Sequence, residues 1–193
     1  METRSYRLDF SNGLSATAVW LKALTVTQDA PVVVVLHDQG RAAASEAVSN
    51  ELNHGRLVFA VNLLFTGDAT PKSPRPYDKY CQVVATLGDR PLGLQAAQLL
   101  AILEWIREEF RVGRLEVRST GIRNQTRALV AAALRPELFS AVHIHEGVPS
   151  LRYLLETPVA YLDAPELFCL DLYRHFDLDR LAALASPSNV VWH

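Results

Sequence analysis

Cysteine is nearly absent from this chain: Cys81 and Cys169 are the only two in 193 residues, and they do not form a closely spaced pair. That argues against a disulfide scaffold and against a cysteine-rich metal knuckle, and two separated thiols fit the reducing cytoplasm. Long apolar runs are missing too, so no segment is expected to cross a bilayer as a helix and no membrane partner is expected. The first residues, Met1 to Tyr6, pass straight into a strand-like segment without the charged start and apolar stretch of an export signal. There is no basic block. Lys and Arg (19) are scattered and slightly outnumbered by Asp and Glu (21), for a formal charge of -2, which argues against nucleic acid as a partner. A Gly-x-Gly-x-x-Gly loop is absent as well, so dinucleotide binding is not expected, and neither is any other cofactor.

About half of the residues (49%) are hydrophobic, enough in a chain of this length for one core, and no linker, repeat or low-complexity stretch divides it. Residues 1–193 therefore read as a single domain. Residues 6–10 and 14–21 form two strands joined by Ser11, Asn12 and Gly13, a tight-hairpin signal. Residues 32–36 are Val-Val-Val-Val-Leu, a run suited to burial on both faces of a parallel sheet. A helix over 42–53 and a strand over 57–63 follow. The proline-containing stretch 66–89 reads as a surface excursion with a short helix near 77–86. Apolar spacing then predicts a helix over 93–110, a strand over 115–118, a helix over 124–134 and a strand over 141–145. Short helices fill 148–185, and 190–192 make a last strand. Such alternation predicts a mostly parallel central sheet between helical layers, with an antiparallel hairpin at the N-terminus.

Four segments carry a family resemblance: the Ser11-Asn12-Gly13 hairpin, the strand and loop 32–41, the strand 58–68 with its Phe65-Thr66-Gly67-Asp68 ending, and the strand, turn and Ala-rich helix of 115–134. Residues 168–177 and 181–186 add to it. In this order they resemble the α/β-hydrolase superfamily, and in local wording its acetyl-xylan-esterase-like and dienelactone-hydrolase-like branch. The resemblance implies a three-layer α/β sandwich and a serine nucleophile in a Gly-x-Ser-x-Gly turn. That motif is missing. With the register anchored on the Ala-rich helix, Thr120 and Asn124 stand at the glycine positions and Ile122 at the serine position. An aliphatic carbon cannot attack an acyl group. By the order of elements, the family's acid and histidine would also fall after the last residues of the sequence. A degenerate site with a binding or assembly role is therefore expected.

Several side chains remain candidates for chemistry. Ser119 and Thr120 are the hydroxyls at the turn, and either serves as a nucleophile if His145 or His193 takes its proton; otherwise Thr120 caps the turn and Ser119 satisfies buried backbone. His37 and Asp38, in the loop the resemblance places over an oxyanion, and Ile122, through its backbone amide, are candidate ligand contacts. Arg123 and Arg127, four apart on one helix side, suit a carboxylate or phosphate. His143 and His145 share a strand face beside Glu146, but no third spaced ligand completes a metal site, so no metal is expected and Glu146 is read as a ligand contact. The partners expected are a small molecule, a peptide or an anion, together with a second copy of the chain, because a strand ending the sheet leaves pairing groups open.

Overall fold

The computed structural model describes residues 1–70, 77–161 and 163–193; residues 71–76 of the predicted excursion lie outside the described set. Seven strands form one sheet in the order β1-β2-β4-β3-β5-β6-β7. They are β1 (Glu2–Asp9), β2 (Ser15–Lys22), β3 (Val32–His37), β4 (Leu57–Asn62), β5 (Leu115–Thr120), β6 (Phe139–His145) and β7 (Asn189–Trp192). β1 and β2 pair antiparallel across the predicted turn, β2 pairs antiparallel with β4, and every other pairing is parallel. β1 begins four residues before the sequence expectation, because Glu2 to Ser5 find ladder partners in Val19 to Lys22 that the mixed composition of the segment does not advertise.

Helices α1 (Ser45–Asn53), α2 (Tyr77–Thr86), α3 (Pro91–Glu109), α4 (Ile122–Leu134), α5 (Tyr153–Glu156), α6 (Leu170–Tyr173) and α7 (Leu178–Leu184) complete the chain. Helix α3 starts at Pro91, where the ring's fixed φ and missing N–H cost nothing in a first turn. The two faces of the sheet are covered unequally. One packs Val34, Leu36, Phe59, Val117, Val142 and Ile144 against α3, α4 and α7 in the main core. On the other, Val33, Val35, Val58 and Ala60 meet Ala44 and Val48 of the α1 segment. Strict alternation along β5 and β6 places Glu116, Arg118, Thr120, His143 and His145 on this second face. Helix α1 reaches part of this row: its Glu51 pairs with Arg118 at 2.5 Å, and Arg56 just after it pairs with Glu116 at 2.8 Å.

The loops after β3 and β4 are tied together at their C-terminal ends. Asn62 accepts from the Arg41 amide (2.7 Å) and donates to Asp68 (2.6 Å), while Arg41 pairs with Asp68 at 2.5 Å. The backbones approach so closely that a Cβ on Gly40, whose φ is +91°, would lie 2.6 Å from the Gly67 Cα. Only glycine fits that crossing. The loop carrying His37 and Asp38 is thereby held over the end of β5. No helix is long and apolar enough to cross a membrane among the described residues.

Candidate functional site at the β5–α4 elbow

Gly121 alone separates β5 from α4, with φ 93° and ψ 159°. A positive φ of this kind is strained for any residue that carries a side chain. Ile122 is the first residue of α4, and the turn between strand and helix is made by Gly121, which has no side chain. The helix starts two residues earlier than the apolar spacing suggested, because a cap arrives from elsewhere. Asp38, 85 residues away in sequence, accepts the Arg123 amide at 2.9 Å through Oδ2, and its Oδ1 accepts the Asn124 amide at 2.8 Å. A carboxylate on the first-turn amides satisfies two orphan donors and complements the helix dipole. Thr120 does not cap this turn. A Cβ on Gly121 would stand 2.3 Å from the Asp38 carboxyl carbon, so the space of an elbow side chain is filled by Asp38.

Beneath Asp38 lies a buried ion cluster. Arg127 is wholly buried; it donates to Gln95 (3.0 Å), Thr66 (3.0 Å) and Asn124 (2.8 Å), and pairs with Glu166. Arg123 pairs with the same Glu166 oxygen at 2.6 Å and donates to the Phe65 carbonyl at 3.2 Å. The sequence placed Arg123 and Arg127 together as a seat for a carboxylate. They are together, and the chain's own Glu166 fills the seat. Burial pushes the Glu166 carboxyl up, but Arg127 and then Arg123 outweigh it and hold it below its ordinary 4.5. Asp38 goes the other way: burial raises it above 3.8 against the opposing pull of Arg127, the two amides and Arg123.

The hydroxyls and histidines divide between the two faces. Ser119 points into the main-core side, is fully buried, and its Oγ has no partner, so it does not satisfy buried backbone as its polarity suggested. Thr120 lies on the opposite side and is the register partner of His145. Both line a cleft of about 270 Å³ with His37, Arg118 and Glu146 at the C-terminal ends of β3, β5 and β6. Burial, then the neighbouring His193 and Arg118, lowers the His145 pKa below 6.5, which keeps its ring neutral at neutral pH. His193 stacks on it with ring centroids 4.3 Å apart and planes 3° from parallel, and its Nε2 lies 3.0 Å from the His143 Nδ1. Glu116 contacts His143 at 3.2 Å and Arg118 at 2.8 Å. Among the described residues no group of three or more His, Cys, Asp or Glu is placed to hold a metal ion.

Sequence reading missed Glu166 and the reach of Asp38. Nothing in the spacing of residues 38, 123 and 166 links them; only the crossover topology does. Two outcomes follow. Gly121→Ala should lower unfolding stability by about 2 kcal/mol or more, from the positive φ and the collision with Asp38, and less in an Asp38→Gly background, a coupling that urea denaturation measures. Glu166→Gln should cost about 3–5 kcal/mol by leaving Arg127 buried without its counter-charge. Because the folded Glu166 pKa lies below its unfolded value, its contribution is present above pH 4.5 and lost as pH falls through the folded value. Stability curves should therefore drop in acid for the parent and more shallowly for the variant.

No protein-family model matches the chain, and no curated protein matches its sequence. Solved structures do. A Bacteroides fragilis protein assigned as an acetyl xylan esterase superposes with a TM-score of 0.74 at 14% identity, over 100% of this chain and 62% of that one. A cold-adapted esterase from an Arctic intertidal metagenomic library, solved with zinc bound, gives 0.62 at 12%, over 99% and 69%. An epoxide hydrolase from Vigna radiata gives 0.52 at 16%, over 74% and 39%. This chain thus spans under two thirds of the first of these proteins and well under half of the last. These superpositions, together with the mostly parallel sheet and its antiparallel N-terminal hairpin, show that the chain has the α/β-hydrolase fold.

Proposed function

We propose that this protein is a degenerate member of the α/β-hydrolase fold that binds a small polar ligand and does not hydrolyse esters through a serine triad. The observation that carries this reading is Asp38 at Gly121. The elbow has no side chain to attack with, and the amides of Arg123 and Asn124, suited to a developing oxyanion, already serve a fixed carboxylate. The ligand is read into the cleft of His37, Thr120 and His145, which offers hydrogen-bonding groups between α1 and the strand ends, where such folds gather their sites.

A second reading is a carboxylester hydrolase in which Thr120 Oγ attacks the acyl carbon and neutral His145 takes its proton. Their pairing on adjacent strands favours it; the occupied helix amides oppose it. A small fluorophosphonate followed by intact-mass analysis separates the two. The binding reading expects no adduct while a control serine hydrolase labels fully. Stoichiometric labelling that Thr120→Val abolishes would overturn it in favour of the esterase.

An assembly role stands beside ligand binding, supported by β7, which among the described residues pairs only with β6 and leaves Trp192 43% exposed at the sheet edge. Sedimentation should show a concentration-dependent dimer that Trp192→Lys weakens at least tenfold. A monomer at every concentration removes the assembly role.

A further inference from the structure

The segment between β6 and β7 encloses a second cavity, separate from the elbow. Its volume is about 360 Å³, within the range of small-molecule sites, and its wall is formed chiefly by Leu151, Leu154, Leu155, Phe168, Tyr173 and Phe176. None of these residues lines the His37–His145 cleft. Leu155 is 88% exposed and Phe176 37%, so apolar surface on this wall is left open to water.

The polar groups of the wall are unequally committed. Asp177 caps α7, accepting from the Leu178 amide at 2.7 Å, the Leu151 amide at 2.8 Å and the Ser150 hydroxyl. Arg152 pairs with Glu156 at 2.7 Å. The Tyr173 hydroxyl, by contrast, is buried without any partner. It does not take the Glu166 Oε2, which is itself buried and unpartnered. Burial first, then Cys169, Glu166 and Asp177, pushes the phenol pKa up, so the hydroxyl keeps its proton and stands as a donor. A buried donor without an acceptor is costly, and native interiors rarely keep one without a use. The carboxylates that act on it also disfavour an anionic guest.

We propose that this cavity binds a small uncharged molecule with an aromatic or branched aliphatic body and one carbonyl or ether oxygen, which accepts a hydrogen bond from the Tyr173 hydroxyl. The apolar wall takes the body, and the Tyr173 hydroxyl, the one buried donor of the wall without a partner among the described residues, selects the oxygen. This site is independent of the proposed role of the elbow cleft.

Titrations of the 193-residue chain by amide NMR with acetophenone, and with ethylbenzene as the matched body lacking the oxygen, test the proposal. Saturable shifts confined to residues 151–177 are expected, with acetophenone binding about fivefold to tenfold more tightly, the worth of one neutral hydrogen bond. Tyr173→Phe should remove that preference while leaving ethylbenzene affinity unchanged, and should not destabilise the ligand-free protein. Leu154→Trp, with a dispersed spectrum, should abolish both bindings by filling the space. The proposal is overturned if neither compound gives saturable shifts in 151–177, or if Tyr173→Phe leaves the preference intact.

Discussion

The contact between Asp38 and the first turn of α4 is the constraint on which the elbow depends. It joins the loop after β3 to the helix after β5, fixes where that helix begins, and removes the space in which an elbow side chain would act. The Arg127–Glu166 pair completes the arrangement by drawing the segment after β6 onto the same spot. Two acids and two guanidiniums drawn from three distant stretches thus converge on one helix N-terminus. Buried ion clusters of this kind seldom add net stability over apolar packing, but each member becomes costly to remove singly. That is consistent with a site whose geometry is held for structure rather than tuned for proton transfer.

The same convergence separates two environments across one sheet. On the main-core side, Ser119 and Arg127 are dry, and their polarity is either matched internally or left unspent. On the other side, Thr120, His143 and His145 sit on a face only partly covered, among charged neighbours. The strand period of two decides which neighbour goes where, so adjacent hydroxyls at 119 and 120 meet opposite fates. Chemistry suited to the elbow and chemistry suited to the open face are therefore carried by different residues.

Much of the architecture was legible in the residues. The Asn12-Gly13 turn, the valine run of β3 and the apolar stripe of α3 each announce their element through local physics, and together they give the right sheet class. The shared face of His143 and His145 follows from strand alternation alone. The start of α4 was not legible, because the helix is begun by a carboxylate remote in sequence and the spacing of apolar residues says nothing about it. Glu166 was invisible for a related reason: an acid in an unremarkable Ala-Pro-Glu-Leu stretch acquires its role only when the chain folds back over α4. The hydroxyl of Ser119 shows the limit from the other side, since polarity predicts a hydrogen bond that burial here denies.

The partly covered face of the sheet bears on kinetics as well as geometry. A guest reaching His37, Thr120 and His145 enters between the strand ends and α1, and meets groups already ordered by β-ladders. Association there is governed by diffusion and the local field of Glu116, Arg118 and the histidines, so changes in those charges should register in how fast a guest arrives more than in how long it stays.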